Sequence, residues 1–299
     1  MDGPSGPSTS PVTMWEIGDP GSGPTVSIMA GVHGCEYVPM VALRRFLDEV
    51  REESPRGCVR IVPLANPRAF YARTPFVGPD DGLNLNRCFP GNASGSYSER
   101  LAALLFEKVI RGADYHIDMH AGDLVEDLEP FTLVDVSSVT DASLAMARAY
   151  GLGHCVLVER SDSPIAGTSS AAAAEVGIPA ITAEVGGRGL VRDEDVEQHL
   201  HGLRQSLIHL GVLSGELDAG RTTVEHHGWE WLRSTTTGWW ECVVRVGEEV
   251  TSGEILGVVH DFENDLHEEI RATGDGVPLF VTSSPAVTQG GLLMGVARR

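Results

Sequence analysis

Lysine is all but missing from this chain: of its 22 basic residues only Lys108 is not an arginine. Positive charge is scarce overall, with 42 acidic residues against those 22 and a formal net charge of −20. Such a polyanion is repelled by phosphate backbones and anionic lipid, so no nucleic acid and no membrane is expected as a partner. No apolar run approaches the ~20 residues of a membrane-spanning helix. Cysteines are few and scattered: Cys35, Cys58, Cys88, Cys155 and Cys242 form no C-x-x-C pair. The opening MDGPSGPSTSPVTM has neither the basic nor the apolar region of a secretory signal and is expected to be a mobile tail over 1–13. An odd, dispersed set of cysteines behind such a start points to a reduced, cytoplasmic protein.

What is present is 299 residues, 42% of them hydrophobic, enough for one large domain or two unequal ones. From about residue 25 to 211, strand-like and helix-like segments alternate. Short apolar strands are expected at 25–30, 59–65, 115–120, 131–136, 155–158 and 180–185. Leu43, Phe46, Leu47 and Val50 recur at helical spacing, and Ser96 with Glu99 forms a capping box before a second stripe that Gly112 closes. Further helices are expected near 142–150, 169–176 and 194–210. This alternation argues for an α/β sheet covered on both faces. Composition shifts at 214–220, and the runs at 239–246, 255–259, 278–282 and 292–296 read as a small all-β domain. The expected division is therefore a tail over 1–13, a catalytic domain over 14–214 and a β domain over 221–299.

Four elements carry chemistry. In Gly31-Val32-His33-Gly34-Cys35-Glu36, between a strand and a helix, His33 and Glu36 can aim a ring nitrogen and a carboxylate at one point. Alone the pattern reads better as a solvated turn. Next, strand periodicity over 115–120 puts Tyr115, Ile117 and Met119 on one face and His116, Asp118 and His120 on the other. Three buried polar groups need partners. A metal on His120, with Asp118 orienting an imidazole, would supply them, and so would a hydrogen-bonded cluster, to which His116 is better suited. Third, Glu184 ends an apolar strand before Gly186-Gly187, where open α/β sheets place their sites. A hydrolytic zinc needs three protein ligands, an open position and a nearby base, and Glu184 fits the last role. A surface acid is the plain alternative. Fourth, Asn66-Pro67-Arg68 and Asn84-Leu85-Asn86-Arg87 lie in a loop too long to be mere connection. Arg68, Asn86 and Arg87 offer donors suited to a carboxylate, or partners for the abundant acids.

Together G-V-H-G-C-E, N-P-R-A-F, L-N-L-N-R-x-F-P-G, the strand ending in His120 and A-E-V-G-G resemble the succinylglutamate desuccinylase/aspartoacylase family of the zinc carboxypeptidase superfamily. That resemblance runs from about residue 26 to the end and implies a zinc-carboxypeptidase-like mixed sheet flanked by helices. It implies that His33, Glu36 and His120 bind one zinc ion per subunit, with Glu184 as general base. It further implies that Arg68 polarises the scissile carbonyl and that Asn86 and Arg87 hold a substrate carboxylate. Asn84 stands where some members carry Asp, and the wording is closer to the branch that includes N-acetyl-diaminobutyrate deacetylases. The expected activity is removal of the acyl group from a small N-acyl amino acid. A metallocarboxypeptidase for short peptides and a non-catalytic metal-binding protein are the alternatives.

The C-terminal part, with Val246-Gly247-Glu248-Glu249-Val250, is similar to a biotinyl/lipoyl-like barrel-sandwich. With Lys108 far from it, no lysine is available as a carrier arm. In the family such a domain shields the site or supports assembly, which leaves room for a homo-oligomer. Other residues invite plainer readings. His199 and His201 fall on an acidic helix and are expected to be solvated. His226-His227 has no partner spacing and reads as the start of a strand. One ring of Trp239-Trp240 should be core, and Cys35 should be a small packed side chain rather than a nucleophile.

Overall fold

A computed structural model describes residues 11–159, 167–218, 222–263 and 265–299. Among the described residues sixteen strands occur, in chain order β1 Trp15–Gly18, β2 Thr25–Ala30, β3 Cys58–Val62, β4 Tyr115–His120, β5 Glu126–Leu128, β6 Phe131–Asp135, β7 His154–Val158 and β8 Ala180–Glu184. The remaining eight are β9 Val224–His227, β10 Trp229–Arg233, β11 Gly238–Cys242, β12 Ile255–His260, β13 Leu266–Arg271, β14 Gly276–Thr282, β15 Ala286–Val287 and β16 Leu292–Arg298. The helices are α1 Tyr37–Glu52, α2 Pro67–Ala72, α3 Tyr97–Leu105, α4 Thr140–Tyr150, α5 Ser169–Glu175 and α6 Asp193–His209.

An eight-stranded mixed sheet of order β1-β3-β2-β4-β8-β6-β7-β9 forms the centre. β2, β3, β4 and β8 run parallel at its middle, and β6 enters antiparallel to β8. Every residue of β2 is buried, as a strand covered on both faces requires. One face packs against α1, α4 and α6 through Leu43, Phe46, Tyr150, Leu200 and Leu203. The other packs against α3 and α5 through Leu101, Leu105 and Ala173. Burying a side chain such as Phe46 contributes roughly 1.5–3 kcal/mol. The face assignment along β4 holds. Ile117 and Met119 enter the α1–α6 core, whereas His116 turns to Ser169 on α5.

The β-rich part forms two antiparallel four-stranded sheets, β10-β16-β14-β5 and β13-β12-β11-β15, around a core that includes Trp240, Leu256, Val259 and Leu293. The two parts exchange strands. β5, from the middle of the chain, pairs with β14, while β9 pairs with β7 as the edge of the large sheet.

Several expectations are corrected. Residues 1–10 of the expected tail lie outside the described residues, but Val12 is buried in the α3-side core. The loop read over 66–91 contains α2, because Asn66 accepts the Ala69 N–H as an N-cap and Pro67 opens the helix with its φ already set. The strand expected over 239–246 stops at Cys242. His226 lies inside β9 rather than opening it, fully buried, with Nε2 2.9 Å from His154 Nδ1. His199 is also fully buried. α6 packs against both α1 and α4, so the side of this acidic helix that carries His199 faces inward. Its ring nitrogens meet Tyr150 Oη at 2.7 Å and the His120 carbonyl at 3.2 Å. His201 stays half-buried beside Asp218. Trp240 is core and Trp239 exposed, and Cys35 is fully buried, both as expected.

Candidate metal and catalytic centre

The site lies at the C-terminal ends of β2, β4 and β8. The chain leaves β2 through a tight turn at Gly31 (φ +71°), which delivers His33 and then Glu36 at the start of α1. A Cβ on Gly34 would lie 2.2 Å from the Ala69 carbonyl carbon, so only glycine lets this turn pack against α2. His120 and Glu184 end neighbouring parallel strands and are register partners.

Ligand atoms of His33, Glu36 and His120 all lie within 4.8 Å of one another. His33 Nδ1 is 2.6 Å from Glu36 Oε1, and His120 Nδ1 is 2.8 Å from Glu36 Oε2. The far ring nitrogens are committed elsewhere. His33 Nε2 faces Asn84 Oδ1 at 2.9 Å, and His120 Nε2 faces Asp118 Oδ2 at 3.0 Å. Both partners are acceptors that an Nε2–H can meet, which leaves each Nδ1 facing Glu36. Two neutral imidazoles held in this tautomer and one carboxylate are a donor set that suits a divalent ion, zinc first among them. Asp118 thus takes the orienting role, and Asn84 does the same for His33. The electrostatics fit a cation between these groups. Burial alone would lower both histidines, yet Glu36 raises His33, and Asp118 and Glu36 raise His120 well above its ordinary value. Burial would raise Glu36, and the two histidines hold it low instead.

A cavity of about 380 Å3 opens on this cluster. It is lined by His33, Glu36 and His120, by Asn86, Arg87 and Glu184, and by an apolar wall that includes Phe131, Trp229, Trp231 and Phe280. Glu184 is pushed up to about 7, by burial first and by Glu36 among its neighbours. Arg87 is lowered by burial, with Glu184 and Glu36 opposing, and it forms no ion pair among the described residues. Asn86 reaches the cavity with its carboxamide engaged. Oδ1 accepts the Ser169 N–H at 3.0 Å, and Nδ2 lies 3.2 Å from His120 Nε2. Arg68 does not join this group. Its guanidinium pairs with Asp80 and stacks 4.8 Å above the Tyr97 ring, away from the cavity lining. His116 belongs to a hydrogen-bonded cluster with Ser27 and Ser169, as its position suggested.

The cavity also gathers residues not singled out from the sequence: Glu126, Trp229, Trp231, Arg233 and Phe280. Trp229 and Trp231 carry a period-2 signal that marks one strand face. Glu126 carries none, because only the pairing of β5 with β14 brings it here.

Fold and site together define the class: a mixed α/β sheet whose strand ends bear a candidate metal cluster beside a carboxylate and a cavity. The chain belongs to the succinylglutamate desuccinylase/aspartoacylase family, whose catalytic-domain model matches residues 22–210. It is 31% identical over 278 residues to an N-alpha-acetyl-L-2,4-diaminobutyric acid deacetylase of Halomonas elongata, covering 89% of this chain and 79% of that one. The structure resembles a succinylglutamate desuccinylase/aspartoacylase from Rhodobacter sphaeroides, with a TM-score of 0.87 at 29% identity over 97% of this chain and 89% of that one. It is equally similar to the product-bound ectoine utilization protein EutE (DoeB) of Ruegeria pomeroyi, with a TM-score of 0.87 at 27% identity over 98% and 90%.

Proposed function

We propose that this chain is a cytoplasmic, zinc-dependent amidohydrolase that removes the acyl group from a small N-acyl amino acid, with N-acetyl-diaminobutyrate as the leading substrate. The observation that carries this reading is the convergence of His33, Glu36 and His120 with Glu184 in one cavity. Likeness to the Halomonas elongata deacetylase over most of both chains supports the choice of substrate. Five free cysteines fit a reducing compartment.

His33, Glu36 and His120 would hold one zinc ion, which supplies Lewis acidity toward a water and the acyl oxygen. Glu184 takes the proton of the attacking water and returns it to the leaving amine. A carboxyl raised to about 7 is matched to both transfers near neutral pH. Arg87, which donates to the Asn86 carbonyl and forms no ion pair among the described residues, binds the substrate carboxylate. Asn86 anchors the loop bearing Arg87 against Ser169 and lines the same space. Arg68, held by Asp80, shapes the outer loop in this arrangement. The aromatic wall that Trp229, Trp231 and Phe280 supply from the β-rich part narrows the cavity, which disfavours long peptides and hence a carboxypeptidase.

The test is turnover by zinc-loaded protein of a pooled panel of N-acetyl, N-formyl and N-succinyl amino acids, N-acetyl-diaminobutyrate and free-acid peptides, followed by mass spectrometry with a chelated control. Chelator-sensitive loss of an N-acyl amino acid is expected. Cleavage of peptides alone would replace this reading with the carboxypeptidase one.

A further inference from the structure

Of the carboxylates lining the cavity, Glu36 belongs to the metal cluster and Glu184 to proton transfer, which leaves Glu126 without a role in the reaction. Its surroundings are unusual for an acid. Glu126 Oε2 accepts the Asp123 N–H at 2.9 Å, and no cationic side chain pairs with it among the described residues. A desolvated carboxylate without a counter-charge is costly, so such a group keeps its proton until a cation compensates its charge. Burial, with Glu36, Asp123 and Glu184 nearby, pushes Glu126 up to about 8. A cation entering the cavity would reverse that cost.

The position of Glu126 is built rather than incidental. Its carbonyl accepts the Arg188 N–H at 2.9 Å, and a Cβ on Gly187 would lie 2.3 Å from the same oxygen. Across the strand it is the register partner of Thr282 on β14. The glycine after the Glu184 strand and a strand of the β-rich part thus fix this carboxylate from both sides.

We propose that Glu126 is the residue that receives the side-chain ammonium of a diamino acid substrate, while Arg87 receives its carboxylate. This inference rests on the deacylase reading above and deepens it: the preferred substrate is cationic in its side chain, unlike an N-acyl dicarboxylic acid. A second carboxylate on the substrate would meet Glu126 as a like charge.

The experiment compares N-α-acetyl-2,4-diaminobutyrate with N-α-acetyl-norvaline, which replaces the ammonium by a methyl of similar size. Full-length zinc-loaded wild type and Glu126→Gln are measured side by side. Gln keeps an acceptor for the Asp123 N–H and removes only the charge. Wild type should favour the charged substrate about tenfold or more in kcat/KM, chiefly through KM, as expected for a charge-assisted contact. In Glu126→Gln that preference should collapse to about threefold or less. A preference that persists in the variant, or that wild type never shows, overturns the assignment to Glu126 while leaving deacylation intact. Turnover of neither substrate refutes the deacylase reading. Calorimetric binding of free diaminobutyrate against free norvaline then decides the inference separately: Glu126→Gln must weaken the former relative to the latter, and equal weakening or none overturns it.

Discussion

Replacing Glu184 by Gln should move stability and activity in opposite directions. The Glu184 carboxyl binds its proton more tightly in the folded chain, at about 7, than at its ordinary 4.5. Below 4.5 it is protonated folded and unfolded alike, so it costs nothing there. Between 4.5 and 7 the folded state holds a proton the unfolded state has released, and destabilisation grows until it is complete above 7. At about 1.4 kcal/mol per pH unit, the cost in metal-free protein reaches at most about 3 kcal/mol. Glu184→Gln removes the ionisation and keeps the shape. In chelator-treated protein it should therefore raise the free energy of urea unfolding at pH 8 by up to about 3 kcal/mol, and that gain should vanish at pH 4.5. Turnover by zinc-loaded variant should fall by about 10²–10⁴, the range for loss of a general base, with bound zinc unchanged. Retained turnover would place the base elsewhere. A loss of stability at pH 8 would show that the fold supports the ionised carboxylate, and the account of Glu184 as a strained base would fail.

Three further outcomes follow from the packing around the site. Tyr150→Phe leaves His199 Nδ1 without its 2.7 Å partner in a buried place and should cost about 1–3 kcal/mol in thermal unfolding. Adding His199→Leu should cost less than the sum of the two single changes, and strict additivity would deny the coupling. Gly187→Ala drives a methyl against the Glu126 carbonyl, so it should raise KM for the diaminobutyrate substrate more than for the norvaline one; an equal effect on both would detach Gly187 from Glu126. His226, fully buried beside His154, is lowered to about 4 by burial first and then by His154, from an ordinary 6.5. A base lowered on folding favours the native state fully above 6.5 and loses that contribution as pH falls toward 4, by at most about 3 kcal/mol. His226→Phe should flatten the urea-unfolding profile over that interval, and an unchanged slope would rule His226 out as its source.

The parts of this molecule legible in the sequence are those whose signal is local. The stripe Leu43, Phe46, Leu47 and Val50 is read by period, and its four residues are buried in α1. The alternation over Tyr115–His120 separated a core face from a polar one, because a strand between two layers leaves its polar residues only each other and the site. The convergence of His33, Glu36 and His120 was legible for a related reason: residues of ligand type at or just beyond strand ends have few other uses in a buried sheet. What stayed hidden depends on pairing between distant segments. Nothing near His199 announces that α6 lies between α1 and α4, so its acidic neighbours pointed the wrong way. Arg68 sits in a motif that resemblance links to the reaction, yet the Asp80 that holds it lies twelve positions on, in a loop whose path no periodicity describes.

The strand exchange has the same character and the larger functional consequence. A composition shift at 214–220 suggested a catalytic unit followed by an accessory one. β5 nevertheless crosses to the second sheet and β9 returns to the first. The cavity is walled in part by Trp229, Trp231 and Phe280, none of which lies in the catalytic segment matched by the family model. The candidate ligands His33, Glu36 and His120 sit at or beside strand ends of the large sheet, whereas Trp229, Trp231 and Phe280 come from β10 and β14 of the β-rich part and Glu126 from the exchanged strand β5. On the proposed reading, changes in β10, β14 or β5 should alter which amine is accepted while His33, Glu36, His120 and Glu184 keep their places. That separation would put this chain's choice of substrate in Glu126 and in the wall of Trp229, Trp231 and Phe280.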